Sequence, residues 1–426
     1  MKYLAVLGRQ AEISVAELSA LFSDVKQIAP SLATFDISTG PTVGGPANFS
    51  FPRSALAGDP LKSCHPQIDR LGGCLKIGVK LEVSPLEYLK DLPEGKITLG
   101  VSDYSNKASR KTATLEALKL KKILMRHERS VRVVENKEAV LSTATSLHNG
   151  LSGKNPKKVE LIKVNNEWFR VIGVQDIDAY AKRDQARPAR DARVGMLPPK
   201  LAQILINLCG SLKEGARILD PFCGTGVVLQ EAMLMGYEPY GTDIELRMVE
   251  YSKKNLKWLS ETMARIGTTS CRERSGALAR VLLPPRDCSD SSSSLTPSEK
   301  LSTSVSQGDA TNFTWQQPID AVACEGYLGK PMSQVPVEIK LKTEKQECGA
   351  IILGFLKNLA KQIKVKTPVV IAMPAWLREN GKYSRLEILD EIENLGYNVE
   401  NKSREGLLYH REGQIVARDI IILRKK

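Results

Sequence analysis

The sequence predicts an α/β protein. Its carboxyl-terminal half reads as a Rossmann-like open parallel sheet, and an α+β region precedes it. Three observations predict this. The first is "RILDPFCGTGVVLQEA", residues 217–232, where an apolar strand ends on Asp220, a turn holds two glycines and a threonine, and a helix begins. Such a turn makes a ligand site at the carboxyl end of a parallel sheet. The second is a further strand-like stretch, "GYEPYGTDIE", ending in an acid 23 residues after Asp220. The third is the alternation of strands and helices from residue 200 onward, as a parallel sheet requires.

The chain has 426 residues, enough for two or three domains, and 42% of them are hydrophobic, enough for real cores. No stretch approaches the roughly 20 apolar residues of a membrane span. The opening "MKYLAVLGRQ" reads as a first strand rather than a signal peptide. The eight cysteines include no C-x-x-C, and Cys64, His65 and Cys74 are poorly spaced for zinc. The expectation is free thiols, no metal and a cytoplasmic protein.

The net charge of +13 is uneven. Residues 106–132 carry nine Lys/Arg against two Glu, and residues 182–200 carry six against two Asp. Two basic clusters outside the sheet region point to a polyanion, because Lys and Arg displace counterions from phosphates. Lys121, Lys122, Arg126, Arg183, Arg187 and Arg190 are the expected contacts. A solvated helix face is the plain alternative for either cluster alone.

In chain order, residues 3–8 read as a strand and 12–23 as an amphipathic helix. Residues 29–65 lose periodicity and gain Gly, Pro and Ser, and are expected to be a loop insertion. "QIDRLGGCLKIGVKLEV" reads as a helix end, a glycine stop and a strand. Residues 97–102 read as a strand, 113–126 as a basic helix, "SVRVVE" as a strand and "SLHNGL" as a short helix. "KVELIKVNNEWFRVIGVQD" reads as a hairpin with an Asn-Asn turn. A basic linker follows, and Pro198 and Pro199 suit the first turn of the helix "KLAQILINL". Nine of the 18 residues in 289–306 are serine, so 264–306 is expected to be a surface insertion. "PVVIAMPAW" is a buried strand, "LEILDEIENLGY" a helix, and "LLYHREGQIVARDIIILRK" two strands about a turn.

The first turn does not suit a phosphate. A P-loop needs Lys and Ser/Thr after its last glycine, yet Val227 follows Gly226. G-x-G-x-x-G also fails at Leu229. Asp220 would repel a pyrophosphate but suits a cation, and S-adenosylmethionine carries a sulfonium and an ammonium. Asp243 stands where a carboxylate accepts from ribose hydroxyls, and Asp309 in "SQGDATNF" could accept from an adenine amine. The series Asp220, Asp243, Asp309 signals a Rossmann-like methyltransferase.

"PIDAVACEGYLGKP" follows as the fourth strand, and Glu325 lies just past its end. An exocyclic purine amine has its lone pair delocalised into the ring. A side-chain oxygen and a carbonyl that accept its two N–H bonds localise that pair and aim it at a methyl carbon. Glu325 is the expected acceptor and Tyr327 a wall or stacking residue. Cys324 is better read as the end of a buried strand than as a nucleophile.

With these residues in view, the chain resembles the THUMP-domain tRNA guanosine N2-methyltransferases that act on guanosine 10. "YLAVLGRQAEISVAELSALF", "RLGGCLKIG" and "LHNGL" look like the family's amino-terminal units. "YAKRDQARPARDARVGMLPPKLAQILINL" and "ILDPFCGTGVVLQEA" resemble its linker and cofactor loop most closely. The resemblance implies a ferredoxin-like unit at 1–90, an RNA-binding THUMP domain at 91–178, a basic linker at 179–197 and a class I methyltransferase domain at 198–426. It implies S-adenosylmethionine as cofactor and tRNA as partner, and leaves an activator subunit open. By motif match it assigns the cofactor to Asp220, Gly224, Gly226, Asp243 and Asp309, with Phe222, Cys223, Thr225, Ile244 and Ala310 flanking them. It assigns catalysis to the Glu325 region, where "CEGYLG" departs from a Glu-Pro-Tyr-Leu-Gly variant at Gly326. That departure motivates a second reading, a tRNA binder with weakened chemistry. A DNA amino-methyltransferase shares the same site logic.

Overall fold

The structure, a computed structural model, describes residues 1–37, 67–191, 196–269, 304–403 and 406–426. The described residues form two units, one reaching Ala181 and one starting at Lys182.

The first unit contains β1 (Lys2–Leu7), α1 (Ala11–Leu21), β2 (Ser23–Ala29), β3 (Leu32–Asp36), β4 (Cys74–Lys80), α2 (Pro85–Lys90), β5 (Ile97–Asp103), α3 (Arg110–Arg126), β6 (Val131–Val133), α4 (Thr143–His148), β7 (Lys158–Val164) and β8 (Glu167–Val174). Its sheet runs β2-β3-β1-β4-β8-β7-β5-β6. Strand β1 is buried on both faces. Tyr3, Ala5 and Leu7 meet Leu18 of α1, while Leu4 and Val6 meet Ile162 and Phe169. The basic helix α3 lays Ala117, Leu120 and Leu124 on Ile97, Leu99 and Val101. It starts three residues before the expected 113 because Ser109 caps it: the Ser109 hydroxyl accepts from the Thr112 amide at 3.1 Å, and the Thr112 hydroxyl accepts from the Ser109 amide at 2.9 Å. The Asn-Asn hairpin forms as expected, with Asn165 at φ 53, a conformation asparagine tolerates.

One expectation for this unit is corrected. The loop does not begin at residue 29: β3 follows Pro30 and Ser31, with Leu32, Ala33, Thr34 and Phe35 buried against β1. Tertiary burial overrides the polar look of the segment, and residues 38–66 lie outside the described residues. Strand β4 hydrogen-bonds β8 directly, so one sheet draws strands from both sides of residue 90.

The second unit follows α5 (Ile177–Gln185), which crosses the unit boundary. It contains α6 (Pro199–Leu208), β9 (Arg217–Asp220), α7 (Val227–Leu234), β10 (Glu238–Asp243), α8 (Leu246–Thr269), β11 (Val305–Gln307), β12 (Ala321–Glu325), α9 (Glu338–Leu359), β13 (Pro368–Leu377), β14 (Tyr383–Arg385), α10 (Leu389–Asn394), β15 (Tyr397–Val399), β16 (Leu408–Tyr409) and β17 (Val416–Lys425). The sheet order is β11-β10-β9-β12-β13-β17-β15, with β14 on β13 and β16 on β17. Neighbours from β11 to β13 are parallel, and β17 is antiparallel to both β13 and β15. Parallel strands covered on both faces read as unbroken apolar runs, as in "PVVIAMPAW". This is the Rossmann-like class I methyltransferase arrangement, with strand order reversing between β9 and β12. Helix α10 is shorter than the expected 386–397, and the short β15 takes over at Tyr397, which is fully buried after Gly396 at φ 92. Most of the expected Ser-rich insertion, residues 270–303, lies outside the described residues.

Candidate active site

The tips of β9, β10 and β12 lie side by side at the carboxyl edge of the sheet. Asp220 ends β9, Asp243 ends β10 and Glu325 ends β12. Between β9 and α7 the chain turns through Phe222, Cys223, Gly224, Thr225 and Gly226. Gly224 takes φ 50 and Gly226 φ 80, both in the left-handed region that glycine reaches without strain. At Gly226 there is also no room, since a Cβ would lie 2.8 Å from Ser252 Oγ and 3.2 Å from Ser252 Cα. At Gly224 the reverse holds: a Cβ would meet only the Phe222 carbonyl, at 4.0 Å. The backbone there faces open space.

The loop is tied on all sides. The Gly224 amide donates to Asp243 Oδ2 at 2.8 Å, and the Cys223 amide to the Thr242 carbonyl at 3.0 Å. From α8, the Ser252 hydroxyl donates to the Gly224 carbonyl at 2.8 Å and Asn255 Nδ2 to the Thr225 carbonyl at 2.9 Å. Asn255 also exchanges bonds with the backbone of Ala189, at 2.9 and 3.0 Å. Neither Ser252 nor Asn255 was expected. The legible signal was two uncharged polar residues three apart on the buried side of one helix. Cys223 is buried beneath the loop, and Phe222 sets its ring edge-on to Phe355 at 5.2 Å.

All three tip carboxyls titrate above their ordinary values, and burial is the first cause each time. For Asp220 the shift is large, with the charges of Asp243 and Glu325 adding to it while a bond from the Phe222 amide at 3.1 Å opposes it. For Asp243, bonds from the Glu245 and Gly224 amides oppose the shift. For Glu325, Arg418 opposes it: Arg418 Nε donates to Glu325 Oε1 at 2.5 Å. Buried carboxylates that repel one another call for a cation. The sulfonium and ammonium of S-adenosylmethionine meet that demand, and the open backbone at Gly224 leaves space for its chain.

The other sequence candidates fall as follows. Ile244 is 65% exposed beside Asp243, an apolar surface at the strand tip. Asp309 caps its own turn, Oδ1 accepting from the Thr311 amide and hydroxyl at 2.9 and 2.8 Å and Oδ2 from Asn312 Nδ2 at 3.3 Å. Ala310 is buried, its carbonyl accepting from Asn358 Nδ2 at 3.1 Å. Tyr327 is half-buried against the core near α9, where burial and the charges of Cys348, Glu344 and Glu347 push its phenol up. Gly326, the first residue past β12, donates its amide to the Ala372 carbonyl at 3.0 Å.

Among the basic candidates, Lys122, Arg126 and Arg190 are exposed and Lys121 is half-buried. Arg187 is 3% exposed and is corrected as a surface contact. Arg183 is bound to the buried Glu231, Nε to Oε1 at 2.7 Å, and is likewise withdrawn from solvent. Their sequence neighbourhood is basic, but the segment folds onto α7. Of the loose Cys/His cluster, Cys74 is a buried thiol at the start of β4, and Cys64 and His65 lie outside the described residues. Among the described residues no helix is long and apolar enough to cross a membrane.

Comparison with known proteins agrees with this site. The family model described as RMKL-like, methyltransferase domain matches residues 187–272. A tRNA (guanine(10)-N2)-dimethyltransferase of Methanothermobacter thermautotrophicus is 51% identical over 76 residues, 17% of this chain and 22% of that one. The protein of that name from Methanocaldococcus jannaschii is 30% identical over 158 residues, 36% of this chain and 44% of that one. The matches thus span less than half the length of these relatives. TrmN from Thermus thermophilus aligns over 100% of both chains at a TM-score of 0.42 and 16% identity. The matched segment runs from Arg187 through the loop of Gly224 and Gly226 into α8, so the likeness to the RMKL-like methyltransferase domain covers the part of the second unit that holds the first two strand tips.

Proposed function

We propose that the protein transfers a methyl group from S-adenosylmethionine to the exocyclic N2 of a guanosine in tRNA, guanosine 10 being the first candidate. The observation that carries this is the meeting of three carboxyls at neighbouring strand tips, the buried Asp220 and the half-buried Asp243 and Glu325, beside the open backbone of Gly224. The relatives' names supply the substrate class.

The cofactor supplies a methyl group on a sulfonium, activated for displacement. Asp220 offers its buried charge to a cation, and Asp243 fixes the loop while accepting from a ribose. Ile244 gives the adenine ring an apolar face. Glu325 Oε2 accepts no hydrogen bond among the described residues, and the side chain at the end of β12 keeps 17% of its surface exposed. It accepts an N–H from the guanine amine and directs the nitrogen lone pair along the line of attack. The N–C bond forms as the C–S bond breaks, its electrons remain on sulfur, and the extra proton leaves the nitrogen for solvent. The base must leave its stack first, at a cost of a few kcal/mol. Lys122, Arg126 and Arg190 are the exposed cations proposed to hold tRNA phosphates.

The test is to incubate the purified full chain with tRNA and cofactor, digest the RNA and weigh its nucleosides. N2-methylguanosine, or its dimethyl form, is expected, and the Glu325→Ala variant should bind cofactor but make none. Unmodified tRNA with bound cofactor would replace this reading with the tRNA-binding one. Methylation of duplex DNA alone would replace it with the DNA amino-methyltransferase.

A further inference from the structure

Glu325 is a poor acceptor by itself. Its arm is one methylene longer than an aspartate's and has three torsions to fix, yet its function demands one orientation. No described residue holds Oε2, and the chain just beyond it begins with Gly326. What the structure does supply is a guanidinium from the far side of the sheet. Arg418 lies on β17 opposite Pro374 of β13, while Glu325 lies opposite Ala372 of the same strand. Arg418 therefore reaches across the middle of β13, between the levels of Ala372 and Pro374. Its side chain is only 6% exposed, and Nε meets Glu325 Oε1 at 2.5 Å.

We propose that Arg418 is a positioning residue for the transfer: it pins Oε1 of Glu325, so that Oε2 is presented to the amine in one orientation and as an anion. The inference rests on Glu325 being the amine acceptor. A guanidinium suits this role because it stays charged and directs its N–H bonds within a rigid plane. The groups that face Glu325 are Asp220 on β9, Cys324 beside it on β12, and Arg418. The first two do not favour its anion, and burial opposes it. Arg418 is the group that favours its anion.

Three proteins test this: the full-length wild type, Arg418→Gln and Arg418→Lys. Cofactor binding by calorimetry is expected to be the same in all, which also reports the fold. The Gln variant is expected to lose about 10²-fold in kcat, the loss for a displacement of about 1 Å, with little change in KM. The acid limb of its pH–rate profile is expected to move to higher pH, because the acceptor now protonates more readily. The Lys variant is expected to keep the wild-type limb while losing kcat. A second measurement needs no turnover. In cofactor-free protein, the infrared carboxylate band that disappears in Glu325→Gln is expected to titrate at higher pH once Arg418 is Gln.

A Gln variant that binds cofactor with wild-type kcat and wild-type acid limb overturns the proposal. If the Gln variant does not bind cofactor, Arg418→Lys decides, and wild-type kcat there overturns it. A wild type that methylates no guanosine sinks the functional reading instead, and the infrared titration still judges the Arg418–Glu325 contact. In an Glu325→Gln background, Arg418→Gln is expected to add almost nothing, whereas a merely structural arginine would lower activity again.

Discussion

The backbone amide of Gly224 donates to the carboxylate of Asp243 at 2.8 Å, so the first glycine of the turn is held by the tip of the neighbouring strand. Two glycines two residues apart thus do different work. Gly224→Ala meets open space and bears the left-handed strain of about 1–2 kcal/mol, but its methyl enters the proposed cofactor space. Gly226→Ala bears similar strain and also drives a Cβ to 2.8 Å from Ser252 Oγ. We expect Gly224→Ala to weaken cofactor binding at least about tenfold, with a modest change in melting temperature. Gly226→Ala should cost the larger share of stability. Calorimetry and thermal denaturation of both variants check this, and the reverse ranking would place the cofactor elsewhere.

Asp243 can be tested alone. Its two oxygens accept from the amides of Gly224 and Glu245 at 2.8 and 2.9 Å. Asparagine offers only one acceptor and would turn an N–H toward a donor. Hydrogen bonds to a charged group contribute about 1.5–3 kcal/mol, so Asp243→Asn should weaken cofactor binding by about 10- to 100-fold. Undiminished binding would remove Asp243 from the site.

Much of this site was legible because it is local. "DPFCGTG" encodes a strand end, a tight turn and a helix start within a few residues, and the strand-tip acids recur at the spacing of successive βα units. The antiparallel close of the sheet was legible as well, since β17 is a long apolar run. What escaped depends on residues far apart in the chain. Arg418 meets Glu325 from 93 positions away, and nothing near either residue announces the pair. Strand β3 looked like loop because its pairing with β1, rather than its own composition, decides its state. Arg187 looked like a surface cation because charge in a sequence says nothing about which way a segment folds.

Gly326 is fitted to its place rather than worn loose. Its amide bonds the Ala372 carbonyl at 3.0 Å, and a Cβ would lie 3.1 Å from Ile371 Cδ1. Proline there would remove the donor and leave a buried carbonyl short of a partner. Gly326→Pro should therefore destabilise the protein by about 1–3 kcal/mol and lower kcat. Gly326→Ala asks only the tip of Ile371 to yield, and should cost under about 1 kcal/mol. Denaturant melts of the two variants check the order. A proline variant as stable as wild type would mean that the loop can drop this bond freely.

The three tip carboxyls also predict a pH dependence. Asp220, Asp243 and Glu325 all titrate above their ordinary values in the folded protein, burial being the first cause in each. Groups with raised folded values contribute stability that is fully present below their unfolded values, and lose it as pH rises through the raised ones. Ionising these carboxyls thus costs the cofactor-free protein stability, and a bound cation relieves that cost. Affinity for S-adenosylmethionine should fall on acidification through that window, by up to about tenfold per pH unit for each carboxyl that must give up a proton. Calorimetric titrations from neutral to mildly acid pH measure this, and a flat profile would show that the carboxyls do not face the cationic groups.

Arg183 and the exposed cations should separate stability from RNA binding. Arg183 is 15% exposed and holds Glu231, which is 1% exposed. Burial raises the Glu231 carboxyl, and Arg183 is the first group to lower it. Arg183→Ala strands a buried acid and should cost about 3–5 kcal/mol. Its effect on tRNA affinity should follow from unfolding alone. Lys122→Ala and Arg126→Ala on α3 remove solvated charges and should leave the melting temperature almost unchanged. They should weaken tRNA binding, and each should reduce the slope of log affinity against log salt by about one if it meets a phosphate. A melt and a salt series on each variant divide the roles: an Arg183→Ala protein that stays stable but loses only tRNA affinity would return that arginine to the RNA surface.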